Sequence, residues 1–364
     1  MELNHKKVLI IKPSSMGDVI HALPLIHAIK RRYPTSYIGW VVQKGLAGLL
    51  EPDPFIDEII TIDIPSTSEP SARTSAYFHA FVATVRSLKI LRRKFVAKPY
   101  DLILDLHASF RSGLISVMNP KSFRLGFAEA KELNTFFQSD HVRVPSDKPH
   151  AVDQLLCFAD FLKISVNPDD FRLFLGDRAE QEAKSFMDSS GLGMSDRIVY
   201  ANPGTRWATK FWNKRAWADL ADRLIVELQC SVIFGGGPSE RAYVEEIVNL
   251  MKLRPVVAAG CLSPVGAASL IKASQIYVGV DSGPMHLAAI LGTHVVALFG
   301  PTDPEKVGPY GEGHRVVRVE NLPCLGCRKS VCNDKKCLDG ISSDRVFEEI
   351  RQLTEWTSKV NGHY

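Results

Sequence analysis

The heptapeptide Lys12-Pro-Ser-Ser-Met-Gly-Asp18 stands between a short apolar run, Val8–Ile11, and a stretch with helical spacing, Val19–Arg32. Lys12, Ser14, Ser15, Gly17 and Asp18 therefore gather where a strand hands over to a helix. Gly17 leaves the backbone free to approach a ligand, and the two serines offer hydroxyls beside it. A carboxylate at such a rim, Asp18, can serve as a general base; an Asp at a helix start is equally favoured as an N-cap.

Later loops carry comparable sets. Asn202-Pro-Gly-Thr205-Arg206-Trp-Ala-Thr-Lys210 follows the run Ile198–Ala201 and offers hydroxyls, a free amide and two cations, the chemistry a diphosphate needs. The same loop also reads as a solvated basic segment with Trp207 and Trp212 packed in the core. Phe234-Gly-Gly-Gly-Pro-Ser-Glu240 lets the backbone come close to a nucleoside. Its Glu240 suits ribose hydroxyls or the positive end of its own helix. In Asp281-Ser-Gly-Pro-Met-His286, Pro284 suits a first helical position, which aims the amides of Ser282 and Gly283 at an anion. Asp281 would repel that anion and fits sugar hydroxyls better, while His286 also suits a structural role. Gly300-Pro-Thr-Asp-Pro304 by itself is turn chemistry.

Cys324-x2-Cys327-x4-Cys332-x4-Cys337 could supply four thiolates to a structural zinc or iron–sulfur site, with free surface thiols as the alternative. A reducing cytoplasm disfavours disulfides here. The cluster lies far along the sequence from the catalytic candidates, so a structural role is expected. Cys157, Cys230 and Cys261 sit in apolar segments and read as small buried hydrophobes.

The elements that must carry these loops alternate. Apolar, β-branched runs at Val8–Ile11, Tyr37–Val42, Glu58–Ile62, Tyr100–Leu106, Ile198–Ala201, Cys230–Phe234, Pro255–Ala258, Ile276–Val280 and His294–Phe299 are separated by helical spacing, as in Tyr77–Phe95, Arg215–Leu228, Glu240–Met251 and Val265–Ala273. Continuously apolar strands between helices predict an α/β fold of two doubly wound, Rossmann-like parallel-sheet domains, with ligands beyond the C-terminal strand ends and a cleft for donor and acceptor. The alternation lapses over 120–175, which places domains at 1–170 and 171–342, followed by a terminal helix in 343–364. The length of 364 residues, with 45% hydrophobic and 23% charged, excludes wholesale disorder. A net charge of +4 does not resemble a nucleic-acid binder. The first turn lacks G-x-G-x-x-G, which argues against a nicotinamide or flavin cofactor. With no signal-peptide core and no run near the roughly 20 apolar residues of a membrane helix, a cytoplasmic protein is expected, with peripheral membrane contact allowed.

KPSSMGDVIHALP at 12–24, NPGTRWATKFW at 202–212, GGGPSE at 235–240, VDSGPMHLAA at 280–289 and LFGPTDP at 298–304 together resemble the heptosyltransferases of glycosyltransferase family 9, in the family's order across both domains. The Ser-Ser-Met-Gly-Asp form and the Gly39–Val42 strand are most similar to the members that act on the Kdo sugars of lipid A. The resemblance implies a GT-B architecture whose C-terminal helix returns toward the first domain. It also implies inverting transfer of heptose from ADP-heptose to the Kdo or inner-core acceptor of lipopolysaccharide at the inner face of the inner membrane, with no metal or other cofactor required for catalysis.

By position the base falls on Asp18, flanked on the acceptor side by Ser14, Ser15 and Gly17. The phosphate contacts fall on Thr205 and Lys210, the nucleoside contact on Glu240, and the donor-sugar and phosphate loop on Asp281, Ser282, Gly283 and His286. Arg206 stands where some members place a second hydroxyl. The helix over Tyr77–Phe95 pairs apolar Phe81, Val85, Leu88 and Phe95 with Arg86, Lys89, Arg92, Arg93 and Lys94, suiting either a solvated face or contact with anionic lipid or Kdo carboxylates. The competing classes are a GT-B transferase for another nucleotide sugar and a non-catalytic nucleotide-sugar binder.

Overall fold

The computed structural model describes residues 2–65, 74–193 and 196–361. The chain separates into two compact units, Met1–Phe174 and Leu175–Tyr364. The first contains β1 (Lys7–Ile11), α1 (Met16–Arg32), β2 (Tyr37–Gln43), β3 (Glu58–Ile62), α2 (Thr74–Ala97), β4 (Leu102–Asp105), α3 (Phe110–Val117), β5 (Phe123–Phe127), β6 (Asp140–Val142) and α4 (Ala151–Leu162). The second contains α5 (Asp177–Ser189), β7 (Ile198–Asn202), α6 (Lys214–Glu227), β8 (Ser231–Phe234), α7 (Arg241–Val248), β9 (Val256–Val257), α8 (Pro264–Ala273), β10 (Ile276–Val280), α9 (Gly283–Ile290), β11 (His294–Phe299), α10 (Pro304–Val307), β12 (Arg315–Arg318), α11 (Lys336–Asp339) and α12 (Ser343–Asn361).

Each unit holds one six-stranded parallel sheet, ordered β3-β2-β1-β4-β5-β6 in the first and β12-β11-β10-β7-β8-β9 in the second. Both are doubly wound, the architecture expected from sequence. Val8 to Ile11 and Val278 and Val280 are fully buried because helices cover both sheet faces. The strand order reverses between β1 and β4, and again between β7 and β10, so a crevice forms beyond the C-terminal strand ends at each reversal. Helix α12 packs on α6, β11 and β12 of its own unit, with Ile350 and Leu353 in that core. Among the described residues no helix is long and apolar enough to cross a membrane.

The alternation does not lapse over the whole stretch 120–175, which forms β5, β6 and α4. Arg124 and Gly126 break the apolar run in β5, and Asp140 and His141 are tolerated in β6 because it is a three-residue edge strand. Strand β12, reading Arg-Val-Val-Arg, escapes the pattern for the same reason at the other sheet's edge.

Candidate active site

In the first unit the loop after β1 meets the loop after β4. Lys12 is buried, and its Nζ donates to the Leu106 carbonyl (2.7 Å) across the strand reversal while pairing with Asp18 Oδ1 at 3.2 Å. Ser15 is the N-cap of α1, which corrects the N-cap alternative for Asp18. The carboxylate instead sits one turn in and receives hydrogen bonds from the Ser15 amide (2.9 Å) and hydroxyl (2.6 Å) on Oδ2. Withdrawal from solvent pushes the Asp18 pKa up, but the Lys12 ammonium, the Ser15 hydrogen bonds and nearby His21 outweigh it. They hold the group well below the ordinary carboxylate range. Asp18 is therefore ionised and, in this arrangement, a weak base. Ser14, half-buried, and Gly17, buried, complete the turn.

The sequence reading missed His107, which follows β4 at the same reversal. Burial, and then the Lys12 cation, lower its pKa below the ordinary histidine value against the opposing pull of Asp18 and Asp105, so the ring is neutral near pH 7. Its loop is held by the fully buried Asp105 carboxylate. Oδ1 accepts from the amides of His107 (3.1 Å) and Ala108 (3.2 Å), and Oδ2 from Ser112 Oγ (2.9 Å), Asn134 Nδ2 (2.7 Å) and Gln138 Nε2 (3.1 Å). The available signal was a strand ending in Asp105-Leu-His-Ala-Ser beside the first strand's loop.

In the second unit the structure brings together the loops after β7, β8 and β10. Lys210, in a 3₁₀ turn, pairs with Asp281 Oδ2 at 2.6 Å and lies 4.7 Å from the centre of the Trp207 ring. Both charges are largely withdrawn from solvent, and the pairing answers the objection that Asp281 would repel an anion. Trp212 is core, as the alternative reading had it, and donates to the Ile341 carbonyl (2.9 Å); Trp207 is half-buried and forms a floor under the ammonium. Thr205 is half-buried and Arg206 exposed on the same loop. Glu240 folds back on its glycine loop, accepting from the Gly237 amide at 2.7 Å, and a Cβ on Gly204 would collide with its carboxylate. Ser282 caps α9, Gly283 begins it, and His286 is buried within it.

Asn202 Oδ1 and Thr302 Oγ1 are buried without a hydrogen-bond partner among the described residues, and Ser282 Oγ makes no well-formed bond, with only the buried Tyr277 hydroxyl beside it. Asn202, Ser282 and Thr302 stand at the C-terminal ends of β7, β10 and β11, which are neighbours in the sheet. Buried polar atoms are normally satisfied, so these groups at neighbouring strand ends have bonding capacity that a polar ligand could use.

The cysteine loop is not remote from these groups, contrary to its sequence position. The Arg328 amide donates to the Pro301 carbonyl (2.7 Å), Thr209 Oγ1 to the Lys329 carbonyl (2.8 Å) and Lys335 Nζ to the Phe211 carbonyl (3.4 Å), so it braces two of the site loops. Cys324, Cys327 and Cys332 are exposed and Cys337 is half-buried. Burial raises the Cys337 thiol, and Cys324, Cys327 and Cys332 raise it further, so the four sulfurs share one neighbourhood. Among the described residues no three His, Cys, Asp or Glu side chains are arranged to hold a metal ion. Cys157 and Cys230 are buried as expected, but Cys261 is exposed, with Arg241 Nη1 3.6 Å from its sulfur.

Two Rossmann-like units with polar loops at their strand reversals have the architecture of the GT-B class. The chain belongs to glycosyltransferase family 9 (heptosyltransferase), whose family model matches residues 88–338. It is 26% identical over 318 residues to the lipopolysaccharide core heptosyltransferase OpsX of Haemophilus influenzae, covering 86% of this chain and 84% of that one. A glycosyltransferase of family 9 from Veillonella parvula shares the fold with a TM-score of 0.82 at 24% identity, covering 97% of this chain and 98% of that one. The E. coli heptosyltransferase WaaC, solved with ADP, does so with a TM-score of 0.71 at 23% identity, covering 95% and 99%.

Proposed function

We propose that this protein transfers L-glycero-D-manno-heptose from ADP-heptose to the Kdo or inner-core acceptor of lipopolysaccharide, with inversion and without a catalytic metal. The row of buried polar atoms with unused bonding capacity, Asn202 Oδ1, Ser282 Oγ and Thr302 Oγ1, beside the Lys210–Asp281 pair carries this reading, because it suits a polar, anionic donor. The names of its relatives support it, as do WaaC structures with ADP and with ADP-2-deoxy-2-fluoro heptose. Thr205, Lys210 and the Ser282 and Gly283 amides bind the diphosphate, Glu240 the ribose, and Asp281 and His286 the sugar side.

In the transfer, the acceptor hydroxyl oxygen attacks the anomeric carbon as its proton passes to Asp18. The bond from that carbon to the phosphate oxygen breaks, and ADP leaves with the electron pair, its charge met by Lys210 and the helix amides. Asp18 becomes a competent base when Lys12 lets go of it. An acceptor carrying Kdo carboxylates competes for that ammonium and so raises the basicity of Asp18 when the acceptor arrives. Ser14, Ser15 and Gly17 shape the acceptor side, and the reaction runs at the inner face of the inner membrane from the cytoplasm. The cysteine loop is structural; if it binds zinc or iron, Cys324, Cys327, Cys332 and Cys337 supply the thiolates. A panel of ADP- and UDP-sugars with defined lipid A acceptors, read by mass spectrometry, tests the reading. Heptose addition from ADP-heptose alone is expected, and preferential transfer from a UDP-sugar would overturn it.

A further inference from the structure

Helix α2 and the segment beside α3 leave large apolar groups in solvent. Phe78 and Phe81 are 67% and 66% exposed at the start of α2, with Val82 between them and the next turn, and Leu133 and Phe136 are 64% and 81% exposed after β5. Isolated exposed apolar residues need no explanation, but aromatic and aliphatic groups collected at one edge do.

Topology puts them at one edge. The last turns of α2 are anchored low on the sheet: Leu91 and Phe95 lie in the core with Ile115 of α3, Arg92 Nη1 donates to the Met118 carbonyl at 3.0 Å, and Lys94 pairs with Glu58 at 2.8 Å. With 24 residues α2 extends about 36 Å, whereas the four residues of β4 that follow it cover about 13 Å. Its first turns therefore run past the C-terminal strand ends, the rim that also carries Asp18 and His107. Leu133 is tied to the same rim through its neighbours, since the Phe110 amide donates to Glu132 Oε2 (3.1 Å) and Asn134 Nδ2 to the Ser109 carbonyl (2.7 Å) at the start of α3. Because α2 and α3 cover one face of the sheet, the two apolar groups flank the same stretch of rim.

The charge on α2 has one sign. Its charged residues are Arg86, Lys89, Arg92, Arg93 and Lys94, with no carboxylate along the helix. On a wheel of 100° per residue, Arg86, Lys89 and Arg93 continue the exposed face of Phe78, Val82 and Val85, so aromatic groups lead and cations follow. Burial of rings at a headgroup boundary with lysines and arginines set behind them is how a helix rests on an anionic bilayer.

We infer that the α2–α3 rim of the first unit is the face on which this protein sits on an anionic phospholipid surface, presenting the Asp18 loop to an acceptor held there. The inference rests on the proposed lipid-borne acceptor, yet vesicle binding is measured without turnover, so the two fail separately. The full-length protein is sedimented with phosphatidylglycerol vesicles and, in parallel, phosphatidylcholine vesicles. Binding to the first and little to the second is expected, weakening with salt.

Phe78→Ser/Phe81→Ser/Phe136→Ser should lower the partition coefficient at least tenfold. Arg86→Glu, Lys89→Glu and Arg93→Glu should each lower it roughly fivefold. All should keep wild-type turnover on a short, water-soluble Kdo acceptor. Wild-type protein that ignores phosphatidylglycerol, or variants that bind it as well as wild type, would overturn the inference. So would a dimer in analytical ultracentrifugation that the aromatic variant dissolves, because the patch would then bind a second copy of the chain. Vesicle binding without heptose transfer would leave this surface standing and remove the proposed reaction.

Discussion

Lys210 Nζ lies 2.6 Å from Asp281 Oδ2 and so joins the loop after β7 to the loop after β10 across the strand reversal of the second unit. Neither charge is free in this arrangement, and the pair ties the two loops together. In the proposed function, a phosphate that took over Lys210 would release Asp281 toward a sugar hydroxyl, so one exchange of partners would prepare both contacts.

Lys210→Ala should weaken ADP binding and turnover together, because a contact to phosphate is lost in both ground and transition states. It also leaves the buried Asp281 charge alone, at a cost of about 3 kcal/mol in unfolding free energy. The double variant with Asp281→Ala should recover most of that loss without recovering affinity. Isothermal titration with ADP and chemical denaturation separate the two effects, and an unchanged ADP affinity would refute the assignment.

Asp18→Asn should keep the fold and donor binding while lowering kcat by at least about a hundredfold. The amide oxygen can still accept from the Ser15 amide and hydroxyl, but the buried Lys12 ammonium loses its carboxylate, so the melting temperature should fall while the fold is kept. Near-wild-type turnover would exclude Asp18 as the base.

Lys12→Met should raise the Asp18 pKa, since the ammonium is the main influence holding it down. The sign follows from linkage: a carboxyl whose folded pKa is depressed contributes stability above its unfolded value and loses it only as pH falls through the folded one. Wild type therefore keeps Asp18 ionised into strongly acidic solution, and the variant should show the acid limb of kcat/KM at higher pH. A limb that stays put would show that Lys12 does not set the charge of the base.

Thr302→Val removes a buried hydroxyl that has no partner in the ligand-free protein. The melting temperature of the ligand-free protein should rise by about 1–3 °C while donor affinity falls roughly five- to tenfold. A parallel loss of both would mean that the hydroxyl is already satisfied without donor.

Initial rates should be unaffected by EDTA, and with zinc or iron bound by the four thiolates Cys327→Ser should lower the melting temperature more than kcat, because such a metal would be structural. Thr209→Val cuts the hydroxyl bond to the Lys329 carbonyl and should raise the donor KM. Elemental analysis of anaerobically purified protein then states whether zinc or iron accompanies the thiols. An absolute Mg²⁺ requirement would contradict the proposed chemistry.

The strands β3, β10 and β11 were legible to the residue, and so was the alternation that makes two parallel sheets, because strands buried on both faces must be continuously apolar. The candidate loops were legible for a related reason: clusters of glycine, proline and polar residues collect at the ends of those runs. Local pattern could not show β5, β6 and β12, whose polar residues are tolerated only because neighbouring strands supply half their environment. Nor could it show that Ser15, rather than Asp18, caps α1, or that Lys12 and His21 bear on the Asp18 charge. The pairing of Lys210 with Asp281 across 71 positions, and the bracing of Thr209 by Lys329 across 120, follow from strand order alone. Periodicity along a chain reports which face of an element is buried; which loops meet beyond the strand ends is set by the crossovers that place β1 beside β4 and β7 beside β10.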